Sequence, residues 1–307
     1  MKLCIIADKE DKVALYIYEE AKKFKEISNN ILVSIEKLYI EGNEKIVYRD
    51  KDITDYDFCI LHIPCNTFPF SYLAAGILHN KKVILSHEPK AFLYLSNRAL
   101  MIKAFERAKV NYPKTYLTMA PEVSKNIVNK FDKLVFKLAD VHGGKGIMIV
   151  KDKSTANGLI DAMYTSSKSF CMQEVIEGEV VKLLVVGEEV IGIKEIPKPG
   201  EDRSNVAQSR IYFRPSDELI EIGKKIAKEI GALCCEVDII ERQNQYYVID
   251  ISINPSLLMY KELSGKNVAN ILLNSMLEKK EEMEATWERK LWRKLSRLLP
   301  LPIQERI

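Results

Sequence analysis

Residues 236–255, EVDIIERQNQYYVIDISINP, hold two β-type runs joined by a short polar turn. The runs cover 236–240 and 246–251, and residues 241–245 connect them. So short a link makes the two strands antiparallel neighbours. That pairing sets Asp238 beside Asp250. Two carboxylates packed together without a cation repel, so a metal explains the pair better than a structural role. Magnesium suits it, being a hard cation that takes few carboxylates and completes its shell with phosphate oxygens and water. Ser252 and Asn254 follow directly and add weaker oxygen donors.

A second segment, LVFKLADVHGGKGIMIV at 134–150, reads as strand, loop, strand. Glycines at 143, 144 and 146 let the loop adopt positive φ and bring backbone N–H groups against phosphate oxygens. Lys137 and Lys145 add charge to the same anion. The pattern is not a strand-to-helix phosphate loop; it fits a flap over phosphates, and equally a plain hairpin with a glycine-rich turn. A third segment, CMQEVIEGEVVK at 171–182, reads as a strand ending in a polar hinge. Such a hinge can offer backbone groups to a purine edge, with Glu179 accepting from ribose hydroxyls. An amphipathic strand with solvated carboxylates would read the same way.

The chain around these segments is 307 residues long, enough for two or three lobes. Its 46 basic and 43 acidic residues leave a net charge of +3, which gives no case for nucleic-acid binding. Residues 2–7, 31–35, 57–63 and 82–85 read as strands, with helices at 13–24 and 71–79. Strands alternating with helices suggest a small parallel α/β domain. Residues 95–108 form an amphipathic helix that Ser96 or Asn97 can cap. Further helices are expected at 155–166 and 217–230, the latter ending at Gly231. The six cysteines, Cys4, Cys59, Cys65, Cys171, Cys234 and Cys235, form no C-x-x-C pair and read as buried free thiols in a reducing cytoplasm. The start is too short in its apolar part for a signal peptide. No run approaches the roughly 20 apolar residues of a membrane span. Trp287 to Leu299 carries apolar residues at helical spacing among Arg and Lys. It reads as a helix packed on its own protein or a second subunit, with membrane-surface contact as the rival.

The three segments in this order resemble the ATP-grasp superfamily, and most closely its RimK-type carboxylate–amine ligases. The resemblance covers roughly residues 90–260. It includes NRALMIKAFERAKVNYPKTY upstream and EDRSNVA at 201–207. It implies an α/β ATP-grasp fold: an N-terminal parallel α/β domain (1–90), then two α+β lobes clasping ATP (91–168, the central subdomain, and 169–277), and a basic tail (278–307). It implies that Lys137 and Arg98 hold phosphates, together with His142, Gly143, Gly144 and Lys145 of the loop. Gln173, Glu174, Val175 and Ile176 would border the adenine, mostly through backbone, and Glu179 would bind the ribose. Lys182 and Lys194 would reach the phosphates or an acyl phosphate, while Arg203 and Asn205 would face the transferring phosphoryl group. Asp238, Asp250, Ser252 and Asn254 would hold magnesium, for which manganese can substitute. The chain departs from the family in three places. Ser252 stands at the usual Asn, Arg98 stands where many members have Lys, and Glu236 replaces a Gly.

The implied chemistry needs no protein nucleophile. ATP converts a carboxylate into an acyl phosphate, an amine attacks, and cations stabilise the tetrahedral oxyanion. Phosphoryl transfer asks mainly for positioning and charge neutralisation. The expected partners are a carboxylate substrate and an amine, an amino acid or peptide, in a homo-oligomeric cytoplasmic enzyme. The rivals are an ATP-grasp small-molecule kinase and a catalytically weak ATP-binding module. His62, His79 and His87 read as structural or surface residues, and His142 alone lies where nucleotide or substrate could touch it.

Overall fold

The computed structural model describes residues 1–63, 67–138, 146–166, 170–197 and 207–296, with side chains described through 288. The first strand, β1 (Lys2–Ala7), is buried from Leu3 onward. Its uninterrupted apolar run is what a strand covered on both faces requires. Asp11 accepts the backbone N–H groups of Val13 and Ala14 and so starts α1 (Lys12–Ala21). β2 (Asn29–Ser34) then lies parallel to β1. An antiparallel excursion follows in β3 (Leu38–Glu41), β4 (Lys45–Tyr48) and β5 (Lys51–Asp52). β6 (Phe58–His62), α2 (Phe70–Asn80) and β7 (Ile84–Leu85) complete a parallel sheet of order β2-β1-β6-β7.

Helices α3 (Pro89–Leu95) and α4 (Arg98–Ala108) lead out of this sheet, and Asn97 caps α4 through the Ala99 N–H. Next come β8 (Thr115–Tyr116), α5 (Pro121–Val128), β9 (Leu134–Leu138), β10 (Ile147–Val150), α6 (Lys153–Thr165) and β11 (Phe170–Glu174). Their strands form an antiparallel sheet of order β10-β9-β11-β8. The third sheet, also antiparallel, has the order β14-β13-β12-β15-β16. It comprises β12 (Glu179–Val186), β13 (Glu189–Pro197), β14 (Ala207–Phe213), β15 (Cys234–Arg242) and β16 (Gln245–Ser252). Helix α7 (Asp217–Ile230) precedes β15, and α8 (Leu257–Ser264) and α9 (Val268–Ser296) follow β16.

The mixed α/β architecture matches the expectation, with three local differences. The three strands between 38 and 52 are absent from the sequence reading, although Leu38, Ile40, Ile46 and Tyr48 alternate around a turn at Gly42 (φ 60°). The helices from 257 to 277 are absent too. Residue 278, expected to begin a separate tail, lies inside α9. That helix is anchored by Val268, Ala269, Leu272, Leu273 and Met276, all buried against α1 and β12. Trp287 near its end is exposed. Among the described residues no helix is long and apolar enough to cross a membrane. The described cysteines, Cys4, Cys59, Cys171, Cys234 and Cys235, are buried and free.

The parallel sheet and the third sheet share their apolar cores, and backbone bonds from Leu233 N–H to Ser86 O and from Glu88 N–H to Gly231 O strap them together. His87 sits inside that strap. Its Nε2 donates to the Cys234 carbonyl at 2.7 Å, which leaves Nδ1 to accept from the Ser86 hydroxyl at 2.8 Å. Both bonds suit the neutral ring, and burial pushes the imidazole pKa down to about 4. The unfolded chain protonates near 6.5, so this contribution is complete above pH 6.5 and is lost as pH falls from 6.5 toward 4. The loss is about 3 kcal/mol in all. Urea unfolding at pH 7 and pH 5 should show it in the wild type and not in His87→Gln; equal slopes in the two proteins would count against it.

Candidate active site

Strands β15 and β16 pair Asp238 directly with Asp250. The next pair along is Ile239 with Val248, so Ile249 is bulged out of the ladder. The bulge has two consequences. It puts Val248 in the core although it shares parity with Asp250, because the extra residue reverses the alternation. It also frees the Ile249 carbonyl, which accepts a bond from Lys137 Nζ at 3.0 Å.

Lys137 comes from β9, in the second sheet, and is buried. Arg98, the first residue of α4, is buried beside it. Its Nη1 donates to Asp250 Oδ2 at 3.1 Å and its Nε to the Leu138 carbonyl at 3.0 Å. Burial alone would raise the Asp250 carboxyl, but Arg98 and Lys137 hold it below the usual carboxylate range. Burial lowers Lys137, with Asp250 opposing the shift. The second sheet has its own apolar core, built around Phe136, Ile160 and Met172. These charged contacts therefore join it to the third sheet.

Asp238 faces Lys182 of β12, its direct partner in the register, at 2.7 Å. The same ammonium reaches Glu236 Oε1 at 3.2 Å, and Glu236 Oε2 accepts from the Tyr260 hydroxyl at 2.8 Å. Burial, with Glu236 and Asp250 alongside, raises the Asp238 carboxyl to about 7 even though Lys182 opposes the shift. Lys182 is also raised: burial opposes it, and Asp238 and Glu236 outweigh burial. The two shifts pull against each other, since one favours a full ion pair and the other a protonated acid. A lysine among carboxylates keeps its proton, whereas one ammonium cannot neutralise both Asp238 and Glu236. The cluster of acids is thus short of a cation.

Not every expected residue joins this group. Glu179 and Lys194 lie on the opposite face of the third sheet and pair with each other. The cause is strand alternation: Glu179 is three residues from Lys182, and Lys194 stands across from Val181. Ser252 pairs with Glu236 in the register and shares the face of Asp238, and its Oγ accepts from the Asn254 N–H at 3.2 Å. The Asn254 amide nitrogen donates to the Ile63 carbonyl at the end of the parallel sheet, and its Oδ1 is buried with no partner among the described residues. At the hinge, the Gln173 amide donates to Thr115 Oγ1 at 2.9 Å, and the Glu174 carboxylate accepts from the Lys114 N–H at 2.8 Å. Both side chains thus serve the scaffold, while Val175 and Ile176 are half-buried just beyond β11. His142, Gly143, Gly144, Lys145, Arg203 and Asn205 lie outside the described residues. Sequence reasoning missed Glu195, Arg210 and Tyr260. The signal for Glu195 was a carboxylate at a core position of an apolar strand.

Among the described residues no three His, Cys, Asp or Glu side chains form a metal cage. Asp238 and Asp250 offer two carboxylates on one side only. That donor set fits magnesium, which phosphate oxygens and water would complete.

Residues 95–276, more than half of the chain, match the family of RimK-like ATP-grasp domains. The chain belongs to that family. This ATP-grasp ligase is 24% identical over 239 residues to a probable alpha-L-glutamate ligase of Vibrio vulnificus, covering 75% of this chain and 79% of the relative. A relative of the same name from Stutzerimonas stutzeri is 25% identical over the same length and coverage. Among solved structures, a RimK domain ATP-grasp protein of Sphaerobacter thermophilus superposes with a TM-score of 0.70 at 16% identity, covering 90% of this chain and all of that one. The ATP-grasp ligase PsnB, solved with a minimal precursor, Mg and ADP, gives a TM-score of 0.69 at 13% identity over 91% and 98% of the two chains. These superpositions agree with the fold described above.

Two substitutions test the frame of the site in this ligase. Arg98→Met leaves Asp250 and the Leu138 carbonyl without their partner, and unfolding stability should fall by about 3–5 kcal/mol. Gly178 lies between hinge and β12, where an added Cβ would sit 2.1 Å from the Glu241 carbonyl oxygen. Gly178→Ala should cost about 1–3 kcal/mol through backbone displacement. Denaturant titration measures both, and changes under 0.5 kcal/mol would contradict the packing described.

Proposed function

We propose that the protein joins a carboxylate to an amine, with ATP first converting the carboxylate to an acyl phosphate. The observation that carries this reading is the convergence of Arg98 and Lys137 on Asp250, with Asp238 directly opposite, where the second and third sheets meet. Magnesium–ATP would supply the phosphoryl group and the charge neutralisation its transfer needs. Asp238 and Asp250, with Ser252 on the same face, would hold the metal. Arg98 and Lys137 would orient Asp250 and present positive charge toward the phosphates. Val175 and Ile176 would border the adenine through their backbone. Lys182 would add positive charge where the acyl phosphate and its oxyanion develop.

The names of the glutamate-ligase relatives support L-glutamate as the first amine to try. The carboxylate partner would be a peptide or protein terminus, an amino acid or a small acid. Purified protein with magnesium, ATP and L-glutamate should release ADP and phosphate when the right acid from such a panel is added. Asp238→Asn and Lys137→Ala should each lower that rate about 100-fold or more. ADP release without free phosphate, with a polyol or sugar as acceptor, would instead identify a kinase. Full activity in both variants would remove these residues from the site.

A further inference from the structure

Lys182 has three carboxylates within reach on one face of the third sheet. Asp238 is directly opposite on β15, and Glu236 is its diagonal neighbour on the same strand. On β13 its direct partner is Ile193, which makes Glu195 the diagonal neighbour there. Diagonal neighbours stand about 7–8 Å apart, within reach of a long side chain. The three acids are not equally engaged. Asp238 and Glu236 hold the ammonium at 2.7 and 3.2 Å. Glu195 is buried, and its Oε1 accepts from Arg210 Nε at 2.8 Å; among the described residues its buried Oε2 has no partner. A carboxylate oxygen buried without a donor costs free energy that a neighbouring ammonium can recover.

Of the three, Asp238 alone also faces Asp250. We propose that Lys182 is a resident counter-ion that gives Asp238 up to the divalent metal and moves to Glu195 Oε2. This rests on the reading of Asp238 and Asp250 as the metal carboxylates. Magnesium and an ammonium on the one Asp238 carboxylate would repel each other at short range, and burial leaves that repulsion little screened. With its side chain only 10% exposed, Lys182 cannot escape to water and must find another acid. Its flexible four-carbon stem allows the swing. Tyr260 donates to Glu236 Oε2 and stays its partner when the ammonium leaves, for Glu236 stands beside Leu184 and Glu195 beside Val180, on opposite sides of Lys182 along β12. Glu195 is thus a positioning residue: Lys182 serves Asp238 without metal, and Glu195 receives the ammonium when the metal enters, so that no buried ammonium is stranded.

The test needs no turnover. Crystals of the wild type would be compared without metal and with Mn2+ and ADP, the Mn2+ placed by anomalous scattering. With Mn2+ at Asp238 and Asp250, Lys182 Nζ should stand more than about 4 Å from Asp238 and within hydrogen-bond distance of Glu195 Oε2. Lys182 still bonded to Asp238 beside bound Mn2+ would overturn the exchange and leave the metal reading standing. Mn2+ bound elsewhere would overturn both. In solution, Mn2+ titration followed by electron paramagnetic resonance should show Glu195→Gln weakening the metal about tenfold, the lower end of what a supporting residue contributes. In a Lys182→Met background the same Glu195→Gln change should have no effect, since no ammonium remains to be received. Equal weakening in both backgrounds would reduce Glu195 to a distant charge and refute the exchange.

Discussion

The Asp250 carboxylate is the point on which the arrangement turns. It lies on β16, accepts from Arg98 at the start of α4, and stands next to Lys137 of β9. Three elements from different parts of the chain therefore meet at one charge. The second sheet has a separate apolar core, so its attachment here depends on directional polar contacts rather than on shared burial. Polar contacts of this kind fix distance and angle, whereas apolar packing alone tolerates sliding. A nucleotide held between two sheets needs fixed geometry where its phosphates lie.

The bulge at Ile249 makes that geometry possible. A regular β16 would put Val248 and Asp250 on one face, so that either the core would lose a valine or the site its acid. One extra residue resolves the conflict, and the carbonyl it releases becomes the acceptor for Lys137. A local irregularity thus supplies both the side-chain direction and a backbone ligand for the buried cation. Bulges beside functional sites commonly re-aim side chains in this way.

This also shows how far the sequence could be read. The Asp238–Asp250 pairing was legible because a five-residue turn leaves two strands no other partner, and the family resemblance was legible from the order of three motifs. The bulge was not, since the run YYVIDI is apolar or aromatic at every position but Asp250 and so shows no break in period. That Glu179 and Lys194 lie on the face opposite Lys182 was hidden for a related reason: motif position names a residue but does not say which face of a twisted strand it occupies. The Asn254 amide nitrogen bonds Ile63, a contact between segments 191 residues apart that no local pattern announces, and its Oδ1 is buried with no partner among the described residues. The three strands after residue 38 were hidden because each is four residues or fewer, too short for a period to register.

The charge inventory carries the last step. One neighbourhood buries the carboxylates of Glu195, Glu236, Asp238 and Asp250 against Arg98, Lys137, Lys182 and Arg210. Desolvating so many ions commonly costs more than their pairing returns, and apolar residues of similar volume would often give a more stable fold. The charges lie on six strands and a helix that elsewhere along their length close over apolar side chains. Their placement is therefore poorly explained by stability. The magnesium–ATP reading proposed above accounts for it, since a metal and phosphates would add to the partners that these acids and cations already have.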